Sequence, residues 1–341
     1  MDSSSIVSRK KYAGYLLGFG AALAVLAIAA LCMGRYSMNP ADVINVIAAK
    51  LSGRPASEAM TNILFRIRLP RVIAALFIGA ALTLSGAAYQ SAFRNPLISP
   101  DLLGVSSGAS LGAAAAIFFG LSLQAVQLFA FSGGIIAVLL ATSLPKLLRN
   151  SSNMMLVLSG IIVSGFMNAL IGVVKFISKE QDQLASIVFW QMGSLSRVNA
   201  AQLLSVTPSI LISLAVMLAI SWRLNILSFG EQEAQTVGIN VPVLRGVTII
   251  CASLLTASSV CVSGTIGWVG LIIPHFGRLI CGSDNTKLMP LAAMLGGAFL
   301  LIIDTLARCL TSMEIPLSIL SGLVGAPLYA WLLSRQRAKI L

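Results

Sequence analysis

The sequence predicts an all-α polytopic membrane protein with about ten transmembrane helices per subunit. Three observations carry that expectation. Of 341 residues, 57% are hydrophobic and only 10% are charged, where a soluble domain carries about 25% charged residues. The mean hydropathy is +0.92. Apolar runs long enough to cross a bilayer, roughly 20 residues each, recur from one end of the chain to the other.

Taken in order, the first run covers roughly residues 13–33. Arg9, Lys10 and Lys11 precede it, and no small-residue cleavage site follows, so it reads as a retained helix and not a signal peptide. The polar interval after it holds Asn39-Pro40, with Pro40 suited to the first turn of a helix, and then VINVIAAKL, whose amphipathic pattern suits a helix lying along the surface. Arg66, Arg68 and Arg71 abut the second run, roughly 72–92. A break at Asn95-Pro96-Leu97 and Pro100 follows. Backbone interrupted inside hydrocarbon survives only where protein or a water-filled cavity surrounds it, as in transporters.

The remaining runs lie at roughly 102–120, 124–143, 154–176, 201–221, 244–263, 265–282, 288–308 and 315–334. Between them, Ser151-Ser152-Asn153 reads as a polar turn, and FISKEQDQLASIVFWQMGSLSR as an interfacial helix bordering a vestibule. The stretch from Arg223 to Arg245 is too polar to span. Gly230 can end a turn, Glu231 to Val237 are good helix formers, and Gly238, Asn240 and Pro242 interrupt them, which suggests two short helices on the membrane face. No linker is evident, so residues 1–341 read as a single membrane domain. A faint echo relates SGAAYQSAFRNP, from Ser85, to SGTIGWVGLIIP, from Ser263; the two would start on opposite membrane sides, as in an inverted repeat.

Placing the N-terminal basic cluster in the cytoplasm puts the basic C-terminus there as well, together with Lys146 and Arg149, as the positive-inside rule prefers. The same parity leaves Arg66, Arg68 and Arg71 outside. Either they anchor the interface by snorkelling or they form a docking site for an acidic partner, which their clustering favours. The net charge of +12 does not indicate nucleic acid, because the basic residues are scattered at helix ends and no soluble domain presents them.

Chemistry of other kinds is poorly supplied. The five cysteines lie in or beside apolar runs without CxxC spacing, and the single histidine, His275, adjoins Pro274; neither a disulfide framework nor a metal site follows. Asp304 and Arg308 share a helix face and can pair. Ser106, Ser107 and Ser110 sit among small residues without a general base, which points to close helix packing. No catalytic residue is identified, and no phosphate-binding loop is present to hydrolyse ATP. Carboxylates of the kind that ion-coupled transport uses are nearly absent from the spans.

Five ordered motifs together closely resemble the permease subunits of iron-siderophore, haem and cobalamin ABC importers. They are RLPR from Arg68, SGAAYQSAFRNPLISPDLLGVSSGASLGA from Ser85, SFGEQEAQTVGINV from Ser228, SGTIGWVGLIIPHFGRLICGSD from Ser263, and DTLARCLTSMEIPLSILSGLVGAPLYAWLL from Asp304. The resemblance covers nearly the whole chain. It implies a ten-helix permease of the bacterial inner membrane with cytoplasmic termini, paired with a second permease subunit, a homodimer ahead of a heterodimer, around a central pathway.

It further implies two cytoplasmic ATP-binding subunits, which carry ATP and Mg, while this chain carries no cofactor. An extracytoplasmic substrate-binding protein delivers the cargo. Arg68, Arg71 and Arg308 match the positions that receive that protein's acidic residues. Gly230, Glu231, Ala234, Val237 and Gly238 match the loop that couples to the ATPase. Asn95, Pro96 and Leu97, with Ser151, Ser152 and Asn153 more loosely, match positions that narrow the pathway on the cytoplasmic side. The implied cargo is a metal chelate, ferric siderophore or haem first, with cobalamin and molybdate as alternatives. From the residues alone, a secondary transporter working without ATPase subunits is a second reading.

Overall fold

The computed structural model describes residues 9–34, 36–53, 57–149, 152–178 and 181–337, and its regular structure is entirely helical among them. α1 (Arg9–Cys32) is followed by α2 (Pro40–Leu51) and α3 (Glu58–Asn62), and a π-helical turn, Ile63–Arg68, leads into α4 (Leu69–Ala92). Next come α5 (Val105–Phe118), α6 (Leu123–Leu147), α7 (Asn153–Ile177), α8 (Gln181–Gln191), α9 (Ala200–Phe229) and α10 (Glu231–Thr236). The chain ends with α11 (Val241–Ser263), α12 (Val269–Cys281), α13 (Asn285–Cys309) and α14 (Leu317–Arg337).

Seven of these are long and apolar enough to cross a membrane, with α5, α12 and α14 as shorter apolar helices. The ten correspond in order to the ten expected runs. Two polar intervals form surface helices as expected. In α2, Val43 and Val46 pack against Met38 and Leu64 while Ile44 and Ile47 stay exposed, and the Asp42 carboxylate accepts the Asn39 N–H at 2.9 Å to close the first turn.

The third interval differs from expectation. Instead of two short helices, α9 runs on through Arg223 to Phe229, leaving only α10 before α11 begins at Val241. Asn225 explains the extension: its side chain donates to Asp284 at 2.7 Å and accepts the Asn285 N–H at 2.6 Å, so the polar last turns of α9 are tied to the start of α13.

α4 is the axis of the bundle and is buried along almost its whole length. Its glycines make this possible. A Cβ at Gly79 would run into the Gly296 carbonyl of α13, and one at Gly86 into the Gly270 carbonyl of α12. Small residues let helix backbones approach closely, and in lipid, where no hydrophobic force drives helices together, that close packing is what holds them.

α5 and α12 are half-helices, about 21 Å and about 20 Å long at 1.5 Å per residue, against a hydrocarbon core of about 30 Å. Pro100 packs against Gly270 close to the Leu82 carbonyl, and Leu82 lies about 15 Å up α4 from Ala92. The chain after α4 therefore turns back into the membrane before α5 starts. Gly264–Trp268 does the same from the opposite end before α12 starts, with Trp268 in the left-handed region at φ 72°. In the sequence echo, the stretch from Ser85 is helical to Ala92 and irregular after it, whereas the stretch from Ser263 is irregular from Gly264 to Trp268 and helical from Val269.

Replacing Gly86 by Ala should destabilise the bundle by about 1–3 kcal/mol, the usual cost of overpacking, read as a lower thermal unfolding midpoint in detergent. Gly246→Ala, whose Cβ meets nothing within 4 Å, should leave the midpoint unchanged or slightly raised.

Candidate functional site

Where the half-helices begin, a cavity of about 540 Å³ opens, lined by Asp101, Ser106 and Ser107 from the α5 side, Gly270 and Leu271 from α12, and Asn168 of α7. Ser318 at the start of α14 completes one wall. The broken backbone around the cavity needs internal partners. Gln90 of α4, buried to 3% exposure, reaches both sides of the cavity: its Nε2 donates to the carbonyl of Ile98, in the broken segment after α4, at 3.3 Å, and lies 3.5 and 3.3 Å from those of Gly270 and Leu271 in the first turn of α12, where Pro274 has no N–H to give the Gly270 carbonyl. Arg278 donates to Gln90 Oε1 at 2.6 Å. A guanidinium can only donate, so this contact fixes which way the amide points. On the α5 side, Asp101 Oδ1 accepts the Ser106 N–H at 2.7 Å and caps the half-helix.

The bundle has two chemically distinct ends. At one, the expected docking residues Arg68, Arg71 and Arg308 converge, but inside the fold, with exposures of 4%, 4% and 6%. Arg71 Nε donates to both Asp304 oxygens at 2.9 and 3.0 Å, and its Nη1 to Glu314 at 2.9 Å. Arg68 donates to the carbonyls of Leu31, Cys32 and Tyr36 where α1 ends. Arg308 donates to Ala30 O at 2.5 Å and stands 3.9 Å from Asp304.

The Asp304–Arg308 pairing expected from helical spacing is thus the looser contact. Asp304 is held by Arg71, 233 residues away in the chain, which no local pattern reveals. Three cations and two carboxylates leave this cluster one positive charge in excess. Arg66 beside it is exposed.

At the other end, α10 is braced against its neighbours. Glu231 accepts from Arg245 at 2.7 Å and from Asn153 Nδ2 at 3.4 Å, so one expected coupling residue and one expected gate residue meet. The hydrogen bond from Arg245 holds the Glu231 carboxyl below the usual carboxylate range, outweighing the small cost of burial. Ala234 is fully buried and Val237 is 63% exposed, so α10 packs by one face and presents the other.

Gly238 adopts φ 81°, and the Ile239 N–H returns to Ala234 O at 3.0 Å, ending the helix. Gly230 is extended and opens α10 from its other side. Asn95, Pro96 and Leu97 are exposed at this same end, with Asn95 Oδ1 accepting the Leu97 N–H at 2.9 Å. Ser152 caps α7 by accepting the Met155 N–H at 3.2 Å; Ser151 lies outside the described residues. Asp284, nearby, would be raised by burial, but hydrogen bonds from Thr286 and Asn225 prevail and hold it low.

Sequence reasoning did not single out Gln90, Asp101, Asn168 or Glu314. A lone amide inside an apolar run, as at Gln90, is the one local signal that could have found its site, since polar groups in hydrocarbon are costly and are kept where they have partners. His275, in contrast, is buried with its ring edge against Tyr329, centroids 6.0 Å apart.

Residues 22–335 match the model of the FecCD transport family. The chain is 39% identical to the molybdate import system permease MolB of Haemophilus influenzae, covering 93% of this chain and 94% of that one. It is 38% identical to a probable iron chelatin transport system permease of Helicobacter pylori strain 26695, over 93% and 97% of the two chains. Among solved structures it is similar to a metal-chelate type ABC transporter in an inward-facing conformation, with a TM-score of 0.84 and 38% identity over 94% of this chain and 98% of the other. A buried central helix, two opposed half-helices and a braced surface helix at one end thus sit in a chain matched over almost its entire length, and the chain belongs to the FecCD transport family.

Proposed function

We propose that this chain is the membrane-spanning permease subunit of an ATP-driven importer of the bacterial inner membrane, working with a second permease subunit, most simply a copy of itself. Its cargo is a metal chelate, a ferric siderophore or haem ahead of cobalamin or molybdate, delivered by a substrate-binding protein on the extracytoplasmic side. The observation that carries the reading is the bracing of α10: a short helix with one buried and one exposed face, tied by Glu231 to both α11 and α7. Such a helix passes a push from a partner directly into two spans as a rigid-body motion.

In this reading α10 and both termini are cytoplasmic, and α10 meets two ATP-binding subunits that carry ATP and Mg; Gly230, Glu231, Ala234, Val237 and Gly238 form the coupling element. The cavity between the half-helices belongs to the cargo route, and Asn95, Pro96, Leu97, Ser152 and Asn153 border its cytoplasmic mouth. A secondary transporter would need no such partner, so copurification of an ATP-binding chain separates the two readings. ATP-dependent uptake of a labelled ferric chelate into proteoliposomes holding the assembled transporter tests the function itself. Uptake independent of ATP removes the proposal.

The arginine end would receive the binding protein. Arg66 offers the direct contact, while buried Arg68, Arg71 and Arg308 contribute the excess positive charge behind it, a field that speeds and orients an acidic partner's approach. Arg66→Glu should weaken binding of the loaded binding protein about tenfold, with a shallower dependence on salt. Unchanged affinity would take the docking role away from this end.

The ion pair beneath serves the fold. Asp304→Ala leaves Arg71 buried with one partner fewer and should cost about 3–5 kcal/mol, measured as lost thermal stability in detergent. A loss under 1 kcal/mol, roughly the scale of an exposed pair, would show that the network does not hold α4 to α13.

Glu231→Gln should lower the amount of cargo moved per ATP hydrolysed while leaving the protein folded. The brace is complete above the ordinary carboxylate pKa and is lost as pH falls through the depressed value of Glu231. Wild-type coupling should therefore stay level from neutral pH down into the mildly acidic range and drop only below the usual carboxylate range. A decline already present near neutrality would assign coupling to another group.

A further inference from the structure

α6 and α9 both pack on α11 but leave a groove of about 320 Å³ between them. Leu128 and Phe131 from α6 and Val206 from α9 line it together with polar side chains. Several of these polar groups are engaged with each other. Gln127 Nε2 donates to Gln202 O at 3.2 Å and to Ser205 Oγ at 3.0 Å, and Ser258 bonds Ser209 at 3.0 Å. Leu204 and Ile212, 69% and 65% exposed, continue the apolar surface along α9. At the arginine end the groove runs into a second cavity of about 590 Å³, and Gln127, Gln202 and Cys261 line both.

The character of the wall changes there. Phe189 and Trp190 of α8 border the second cavity together with Ser196 and Arg197. Arg197 is exposed, and no acidic side chain among the described residues pairs with it. It lies two residues before the Asn199 cap of α9, at the depth where a spanning helix leaves hydrocarbon. Aromatic rings beside a cation are the usual lining at headgroup depth.

A groove with apolar side chains along it, joined at the interface to a larger cavity bordered by a cation with no acidic partner among the described residues, has the charge order of an anionic glycerophospholipid. We propose that this groove and cavity form a binding site for such a lipid, with phosphatidylglycerol as the probe, its phosphate at Arg197 and one chain between α6 and α9. The site shares no lining residue with the cavity between the half-helices, although Trp190 and Gly264 of one adjoin Gln191 and Thr265 of the other, and it depends on the membrane setting of the chain and not on the identity of the cargo. A lipid seated there also backs α8, which borders the cavity through Ala185, Phe189 and Trp190.

Native mass spectrometry of the assembled transporter, equilibrated with phosphatidylglycerol or with phosphatidylcholine of matched chains, tests this. Wild type should retain phosphatidylglycerol in preference to phosphatidylcholine. Arg197→Glu should cut that retention about fivefold or more, the scale of one basic residue at an anionic surface, and Arg197→Lys should preserve it.

Ala201→Trp places bulk at the exposed mouth of the groove. It should lower retention of both lipids while the size-exclusion profile stays that of wild type. Equal retention of the two lipids by wild type overturns the proposal, as does undiminished phosphatidylglycerol on Arg197→Glu and Ala201→Trp. Displacement of the lipid by excess ferric chelate would reassign the cavity to the cargo route and overturn it as well.

Discussion

Backbone that is broken inside a membrane has no water to bond with, and that constraint organises this molecule. Two segments re-enter the bilayer from opposite ends, and one side chain, Gln90, bridges them: its amide reaches the Ile98 carbonyl in the first and the Gly270 and Leu271 carbonyls at the start of α12, into which the second leads. For one amide to do this, α4, the chain after it and α12 must come within contact of each other. The glycines allow it: Gly86 lies on the Gly270 carbonyl, and Gly270 in turn faces Pro100. An unsatisfied carbonyl in hydrocarbon costs several kcal/mol, so Gln90 and these glycines act as a unit. Removing the amide would orphan acceptors, and adding a methyl group would push the acceptors out of reach.

The two ends of the bundle solve different problems with the same residue types. Buried charges at the arginine end are stable only because each has close partners; Asp304 is fully enclosed, and both its oxygens take Arg71. Such a cluster resists deformation, since separating any pair exposes a bare charge to low dielectric. At the α10 end, Glu231 is 46% exposed and pairs with Arg245 in reach of solvent. Breaking that pair leaves no bare charge in a dry interior, so it ties α10 to α11 and α7 without being required for folding. One end thus needs its ion pairs to stay folded, while at the other they join a surface helix to two spans.

Much of this was legible in the residues and some of it was not. Hydropathy places the ten crossing elements because apolar length is a local property. It cannot distinguish a half-helix from a full span at roughly 102–120 or 265–282, since Leu102-Leu103 and Ile266-Gly267-Trp268 are as apolar as the helices they precede. The polar end of α9 misleads in the other direction: Arg223 and Asn225 look like loop residues but continue the helix, because Arg223 lies over the Trp222 ring and Asn225 caps α13. The arginines were conspicuous at sequence level as charges without a reason to be there. Their partners were not, since Asp304 and Glu314 come from the far end of the chain and are brought to α4 only by the packing of α13. Glu231 was found for its place in a motif; that it would meet Asn153 required the tertiary structure.

The two half-helices carry one more consequence. Each begins near mid-membrane, so the positive ends of both helix dipoles point into the same cavity. Left alone they would make it an anion trap, and a pathway that binds its cargo strongly does not release it. Asp101 caps α5 at the Ser106 N–H and sets a negative charge against that dipole. The α12 end has no such partner: its cap residue Trp268 makes no side-chain bond to the first turn, and the Leu271 and Ile272 N–H groups that reach the Trp268 carbonyl at 3.1 and 2.9 Å belong to the helix's own ladder. The cavity that results is lined by hydroxyls, amides and one carboxylate beside the apolar Leu82, Ile266 and Trp268, with one of its two dipoles opposed. A lining of that kind can wet a polar molecule without holding it tightly.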